Sequence, residues 1–178
     1  MGGENYEIER KFLIRYPSRE LLEKCGDITD IEQTYLVRTE QGRSARVRKR
    51  GRDGRYVYTY TEKERSSDLR RIEDEREVSA EEYRELLKRA DSSREVIRKK
   101  RCCLEYMGRI FEIDIFPFWD DRAVMEIELD SEEDAVAFPE DIEIIREISS
   151  DRRYTNSAMA KRIPDDAPEA GDGRAARR

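Results

Sequence analysis

Along "YEIERKFLI" (residues 6–14) the side chains alternate as they do on a strand, but the alternation is inverted. Glu7, Glu9 and Lys11 share one face, and Tyr6, Ile8, Arg10 and Phe12 share the other. The same inversion returns down the chain. In "ARVRKR" (45–50) Arg46, Arg48 and Arg50 line up. In "YVYTYTEK" (56–63) Thr59, Thr61 and Lys63 oppose Tyr56, Tyr58 and Tyr60. "RIEDERE" (71–77) aligns Arg71, Glu73, Glu75 and Glu77, and "IRKKR" (97–101) aligns Lys99 with Arg101. "IFEIDIF" (110–116) sets Glu112 and Asp114 against Phe111, Ile113 and Ile115. "VMEIELD" (124–130) sets Glu126, Glu128 and Asp130 against Met125, Ile127 and Leu129.

Like charges at i and i+2 repel unless an opposite charge lies between them. For one strand, a solvated face over a core explains the pattern. The set is different, because its rows sort by sign. Acids stand at Glu7/Glu9, Glu73/Glu75, Glu112/Asp114 and Glu126/Glu128, and bases at Arg46/Arg48 and Lys99/Arg101. A soluble surface mixes the signs. The economical architecture is a closed antiparallel β-barrel with a charged lumen and an apolar exterior covered by helices. Closure also removes the exposed sheet edges.

Composition agrees with charge on two sides of a sheet. The chain has 178 residues, the size of one domain, and 44% of them are charged where about 25% is usual. Nine Tyr, five Phe and one Trp, with a net charge of only −6, argue against general disorder. The acidic pI argues against a nucleic-acid surface. Histidine is absent, which removes Ser-His and Cys-His nucleophiles and His ligands. Cys25, Cys102 and Cys103 show neither metal spacing nor a disulfide pattern, and read as small buried fillers. No apolar run resembles a signal peptide or a membrane span. The expectation is a soluble cytoplasmic protein with no membrane and no nucleic-acid partner; its Tyr-rich strand surface could dimerise.

Strands are expected at 5–14, 33–39, 44–50, 55–63, 70–78, 95–107, 109–117, 124–130 and 142–148. "GRDG" (51–54) marks a hairpin, and Met107-Gly108 another tight turn. Helices are expected at 18–25, at 80–90 behind a Ser79/Glu82 capping box, at 131–138 and at 155–162. One domain then covers 1–163. "PDDAPEAGDGRAARR" (164–178) reads as a disordered tail.

A lumen with one basic and one acidic side suits a polyphosphate and a metal ion. Arg and Lys hold phosphate oxygens, and clustered carboxylates hold a hard cation such as Mg²⁺ or Mn²⁺. Without ligand such a lumen should repel itself, so stability should depend on ligand.

"EIERK" (7–11) resembles the E-x-E-x-K signature of the CYTH domain, or triphosphate tunnel metalloenzyme, superfamily. "QTYL" (33–36), "RVR" (46–48), "EKER" around Lys63, "EDE" (73–75), "KKR" (99–101), "FEIDIF" (111–116), "EIEL" (126–129) and "DRRYTNSAMAK" (151–161) resemble its later motifs in order, over roughly residues 5–163. The resemblance implies an α+β, mainly β fold: a closed eight-stranded antiparallel tunnel with a few flanking helices. It implies metal binding by Glu7, Glu9, Glu126 and Glu128, with Asp114 beside them and Glu73 and Glu75 facing the lumen. It implies triphosphate contacts for Lys11, Arg46, Arg48, Lys63, Lys99 and Arg101, with Arg153 and Lys161 closing over the phosphate. Lys11, Lys99 and Arg101 are the expected catalytic cations. Tyr35 reads as core.

The implied activity is divalent-metal-dependent hydrolysis of the terminal phosphate of a triphosphate, with inorganic tripolyphosphate as the expected substrate. A thiamine triphosphatase is a variant of it. A class IV adenylate cyclase, making cyclic AMP and pyrophosphate from ATP, would use the same motifs. So would a polyphosphate- or nucleotide-binding module without turnover.

Overall fold

The computed structural model describes residues 8–65, 71–131 and 133–166, without the side chains of 64, 65 and 71–73. Of the expected tail, residues 164–166 are described and 167–178 lie outside. The described chain is mainly antiparallel β-structure with few and short helices. Its described residues fall into two compact units, one drawn from 8–28, 100–152 and 164–166, the other from 29–99 and 153–163.

In the first unit the hydrogen-bonded order is β6 (Ile97–Tyr106, whose residues 97–99 count with the second unit), β7 (Arg109–Ile115), β8 (Arg122–Leu129), β1 (Ile8–Arg15), β9 (Ile144–Glu147). Its apolar face joins Phe12, Ile14, Leu104, Phe111, Ile113, Met125 and Ile127 into one core. Helix α1 (Arg19–Glu23) covers part of it with Leu21. Ser18 starts the helix by accepting the Leu21 amide at 3.1 Å. In the second unit the order is β5 (Arg71–Val78), β4 (Arg55–Arg65), β3 (Ser44–Arg52), β2 (Asp27–Leu36). Leu36, Ala45, Val47, Tyr60 and Val78 pack there with Tyr83 of α2 (Ala80–Leu87). In each unit one helix, α1 or α2, covers part of the apolar face, and the charged faces point the other way. Among the described residues neither run of strands closes on itself.

The turns follow their chemistry. Asp53 and Gly54 both take positive φ, at 53° and 82°, as a two-residue hairpin twisting with its strands requires. Several expectations need correction. The second strand starts at Asp27 and ends at Leu36, six residues before the expected start and three before the expected end. The expected helix at 131–138 does not form among its described residues. Ser131 makes one turn, accepting Glu133 N on its hydroxyl and Asp134 N on its carbonyl. The Asp134 carboxylate then turns back to Asp130 N and Arg109. Val136 and Phe138 run on against the core, and Pro139 disfavours a helical residue before it. The last helix, α3, is only Asn156–Met159, capped by Thr155 and preceded by a 3₁₀ turn at Arg152–Tyr154. The cysteine reading also changes: Cys25 and Cys102 are joined as a disulfide with Cα atoms 5.8 Å apart, a pairing that 77 residues of separation hide.

Candidate active site

The polar face of the first unit is built by register. Lys11 on β1 lies opposite Glu126 on β8, and Glu126 opposite Glu112 on β7. Asp114 on β7 lies opposite Arg101 on β6. Antiparallel pairing therefore brings residues from four strands into one patch.

Arg101 sits at its centre. Its Nε and Nη2 reach the two oxygens of Asp114 at 2.7 Å each, and Nη2 also reaches Glu126 Oε2 at 2.9 Å. Nη1 bonds Glu112. Lys11 Nζ takes the other oxygen of Glu126 at 2.8 Å and Glu9 Oε1 at 3.3 Å. The pairs are largely dry: the Asp114 side chain is 1% exposed and those of Arg101 and Glu126 12% each. Burial raises the Glu9 carboxyl above its ordinary value and Glu126 adds to this, while Lys11 and Arg101 oppose. Burial pulls the Lys11 ammonium down, but Glu126 and Glu9 outweigh it and the net shift is upward. For Arg101 burial again opposes, and Asp114, Glu126 and Glu112 together raise it. The two members of the Lys11–Glu9 pair move the same way because Lys11 has two carboxylates, while at Glu9 burial and then the like charge of Glu126 outweigh Lys11.

The self-repulsion expected of the charged face is offset in this unit, although Glu126 still raises the Glu9 carboxyl after burial. The chain supplies the carboxylates' counter-ions itself. The donors are all carboxylate oxygens, the chemistry a hard divalent ion prefers. Among the described residues, however, no three Asp or Glu side chains gather about one point suited to an ion; they gather around a guanidinium. Glu128 lies opposite Glu9 in register but is exposed. Glu7 lies outside the described residues.

The polar face of the second unit is basic. Its rows run Tyr35–Arg46–Thr61–Glu75 and Gln33–Arg48–Thr59–Glu77 across β2 to β5. Arg46 Nε reaches Thr61 Oγ1 at 3.4 Å, and Glu75 lies 3.7 Å from Nη2. The Thr61 hydroxyl donates to Glu75 at 2.7 Å. Arg48 Nε donates to Gln33 Oε1 at 3.4 Å, and Gln33 Nε2 donates to the Tyr35 hydroxyl at 2.6 Å. Thr59 Oγ1 is buried with no hydrogen-bond partner among the described residues. The Arg94 guanidinium lies 5.1 Å from the Tyr35 ring centroid and is held by Asp91 and Ser157. Burial raises the Tyr35 phenol, against Arg46, Gln33, Arg94 and Arg48. Lys99 is buried and Lys63 half-buried, while Arg153 and Lys161 are exposed. Backbone pairing sets Glu73 opposite Lys63, but its side chain lies outside the described ones.

Register therefore gathers Lys11, Arg101, Asp114, Glu126 and Glu9 in one unit, and Arg46, Arg48 and Glu75 in the other. Gln33, Thr59 and Arg94 are additions that the sequence reading missed. "QTYL" carried a signal for the first: Gln33 and Tyr35 share a strand face, so pairing that face to Arg46 and Arg48 would have found Gln33.

No family model matches the chain. It is 31% identical over 160 residues to an inorganic triphosphatase of Nitrosomonas europaea, covering 89% of this chain and 99% of that protein. The crystal structure of the inorganic triphosphatase NE1496 superposes with a TM-score of 0.59 at 28% identity, over 92% of this chain and 99% of the other. A crystal structure of the hypothetical protein NE1496 gives 0.61 at 29% identity, over 89% and 100%. This similarity, over nearly the whole length of both chains, places the antiparallel strands and their sign-sorted polar faces in the CYTH, or triphosphate tunnel, class. Within it, the chain belongs to the inorganic triphosphatase family.

Proposed function

We propose that the protein hydrolyses the terminal phosphate of inorganic tripolyphosphate with a divalent ion, Mg²⁺ or Mn²⁺. The observation that carries this reading is the sorting of charge into a carboxylate patch around Arg101 and a basic face around Arg46 and Arg48, in a chain of the inorganic triphosphatase family. The reading takes the strands to close into the tunnel that the resemblance implies, with these side chains in its lumen.

Glu9, Glu126 and Asp114 would hold the ion, joined by Glu7 and Glu128. When bound, the ion neutralises phosphate charge and acidifies water. Arg46, Arg48, Lys63 and Lys99 bind the phosphate oxygens, and Thr59 offers a hydroxyl that has no partner among the described residues. Lys11 and Arg101 stabilise the charge that develops on the terminal phosphoryl group. Water forms a bond to the terminal phosphorus, the bond to the bridging oxygen breaks, and pyrophosphate leaves. Positioning and charge stabilisation carry such a transfer, so no covalent nucleophile is needed.

The full chain with tripolyphosphate and Mg²⁺ or Mn²⁺ should release orthophosphate and pyrophosphate in equal amounts. Cyclic AMP formed from ATP would replace this reading with a cyclase. Binding of tripolyphosphate without turnover at either ion would leave a binding module.

A further inference from the structure

The carboxylates expected to seat the metal are arranged around a different cation. Asp114 gives both oxygens to Arg101, Glu126 gives one oxygen to Arg101 and the other to Lys11, and Glu112 closes the third side. Four carboxylates, counting Glu9, share two resident cations. A planar guanidinium spreads its acceptors over a fork. A small divalent ion such as Mg²⁺ needs oxygens converging on one centre at about 2.0–2.1 Å. The two arrangements compete: in the positions that hold Arg101, Glu126 and Asp114 do not converge with a third carboxylate on one centre among the described residues. Leaving such a buried network with one partner missing is costly, so Arg101 departs only for an anion that replaces the lost contacts. A triphosphate does this, because its oxygens accept a guanidinium bidentately.

We infer that Arg101 is a resident stand-in for the metal, so that the acidic face takes a divalent ion only when triphosphate has drawn Arg101 off Asp114 and Glu126. The inference rests on the proposed tripolyphosphatase reading and adds an order to it. Metal and triphosphate bind with positive coupling, and the same guanidinium serves first as counter-ion to the carboxylates and then as ligand to phosphate. Arg101 thereby keeps the free protein from loading an ion without substrate. Coupling of this kind is reciprocal, so ion and triphosphate strengthen each other equally.

The test is Mn²⁺ binding to the full chain without any phosphate, read from the free-Mn²⁺ electron paramagnetic resonance signal. Wild type should show no saturable site in the micromolar range. Arg101→Gln, which leaves the three carboxylates without their guanidinium, should bind Mn²⁺ at least about tenfold more tightly than wild type. Its thermal midpoint should rise with Mn²⁺ where that of wild type does not. A micromolar site in wild type overturns the inference, and so does a folded Arg101→Gln protein with unchanged Mn²⁺ affinity. If Arg101→Gln fails to fold, the wild-type titration decides by itself. Tripolyphosphate turnover by wild type separates the two levels. A protein that hydrolyses tripolyphosphate yet binds Mn²⁺ tightly alone has the proposed function without this order. A protein that neither binds nor hydrolyses tripolyphosphate with either ion loses the functional reading itself.

Discussion

Arg101 and Arg46 stand on the polar faces of their sheets, in strands of the same inverted pattern, yet they are held differently. Three carboxylates fix Arg101, one of them bidentate and almost fully buried. Arg46 meets a threonine hydroxyl at 3.4 Å and the 40%-exposed Glu75 at 3.7 Å. Arg48 beside it donates to a glutamine. The acidic face is thus an ion-pair network, in which a charge is removed only with its partner. The contacts of the basic face include the neutral oxygens of Thr61 and Gln33 beside the carboxylate of Glu75. On the proposed reading, one face exchanges cations and the other receives an anion.

The largest effect should come from breaking the network itself. Asp114→Asn keeps the shape but strips the carboxylate from buried Arg101, and should cost about 3–5 kcal/mol of unfolding free energy in urea. Glu75→Gln, against the more exposed Arg46 contact, should cost less than about 1 kcal/mol. Equal losses would mean that the two faces are held alike, and the comparison would fail.

On the basic face, stability and activity should separate. Arg48→Met should leave unfolding free energy within about 1 kcal/mol of wild type. It should lower kcat/KM on tripolyphosphate by about 10²–10³-fold, as removal of one preorganised donor does. A variant that loses stability in proportion to activity would make Arg48 a structural cation, like Arg101. Thr59→Val is the finer probe. The hydroxyl has no partner among the described residues, so its loss should be neutral or stabilising by up to about 1 kcal/mol. Tripolyphosphate affinity, measured by isothermal titration, should fall about three- to tenfold if the hydroxyl donates to phosphate. Unchanged affinity would remove Thr59 from the site.

Which of these contrasts the sequence carried follows from what each depends on. Alternation is local, so the faces of β1, β3, β4, β7 and β8 were legible, as were the Asp53-Gly54 turn and the Ser79 cap. Pairing is not local. Arg101 falls beside Asp114 only because β6 pairs with β7 in one register, and nothing in "KKR" announces it. The sorted signs therefore suggested repulsion where the fold interleaves its own cations. The strand from Asp27 was hidden for a related reason. Its Thr29, Asp30 and Glu32 give no apolar alternation, although Ile31 and Gln33 become buried. Glu82 shows the same limit. Its amide is capped by Ser79 at 3.1 Å, but Arg76 takes its carboxylate at 2.5 Å, so the predicted capping box forms by half.

The smallest expected effect tests the contrast within a single strand. Arg10 neighbours Lys11 on β1 but points to the opposite face, where it makes a bidentate pair with Glu147 of β9 at 2.9 and 2.7 Å. The two side chains are 33% and 42% exposed, so solvent screens them as it does not screen Asp114. The Arg10 hydrogen bonds hold the Glu147 carboxyl below its ordinary value of 4.5, against the opposing effect of burial and with help from Ser149. A lowered folded-state value means that the pair contributes stability above about pH 4.5, and that this contribution fades as the pH falls through the folded-state value. Wild type should therefore exceed Glu147→Gln by less than about 1 kcal/mol at pH 7. The gap should close in urea melts toward pH 2, and it should narrow in 1 M salt, where screening falls to about 3 Å. A gap that persists at low pH would show that Glu147 acts through packing, and the distinction between wet and dry ion pairs on β1 would no longer rest on charge.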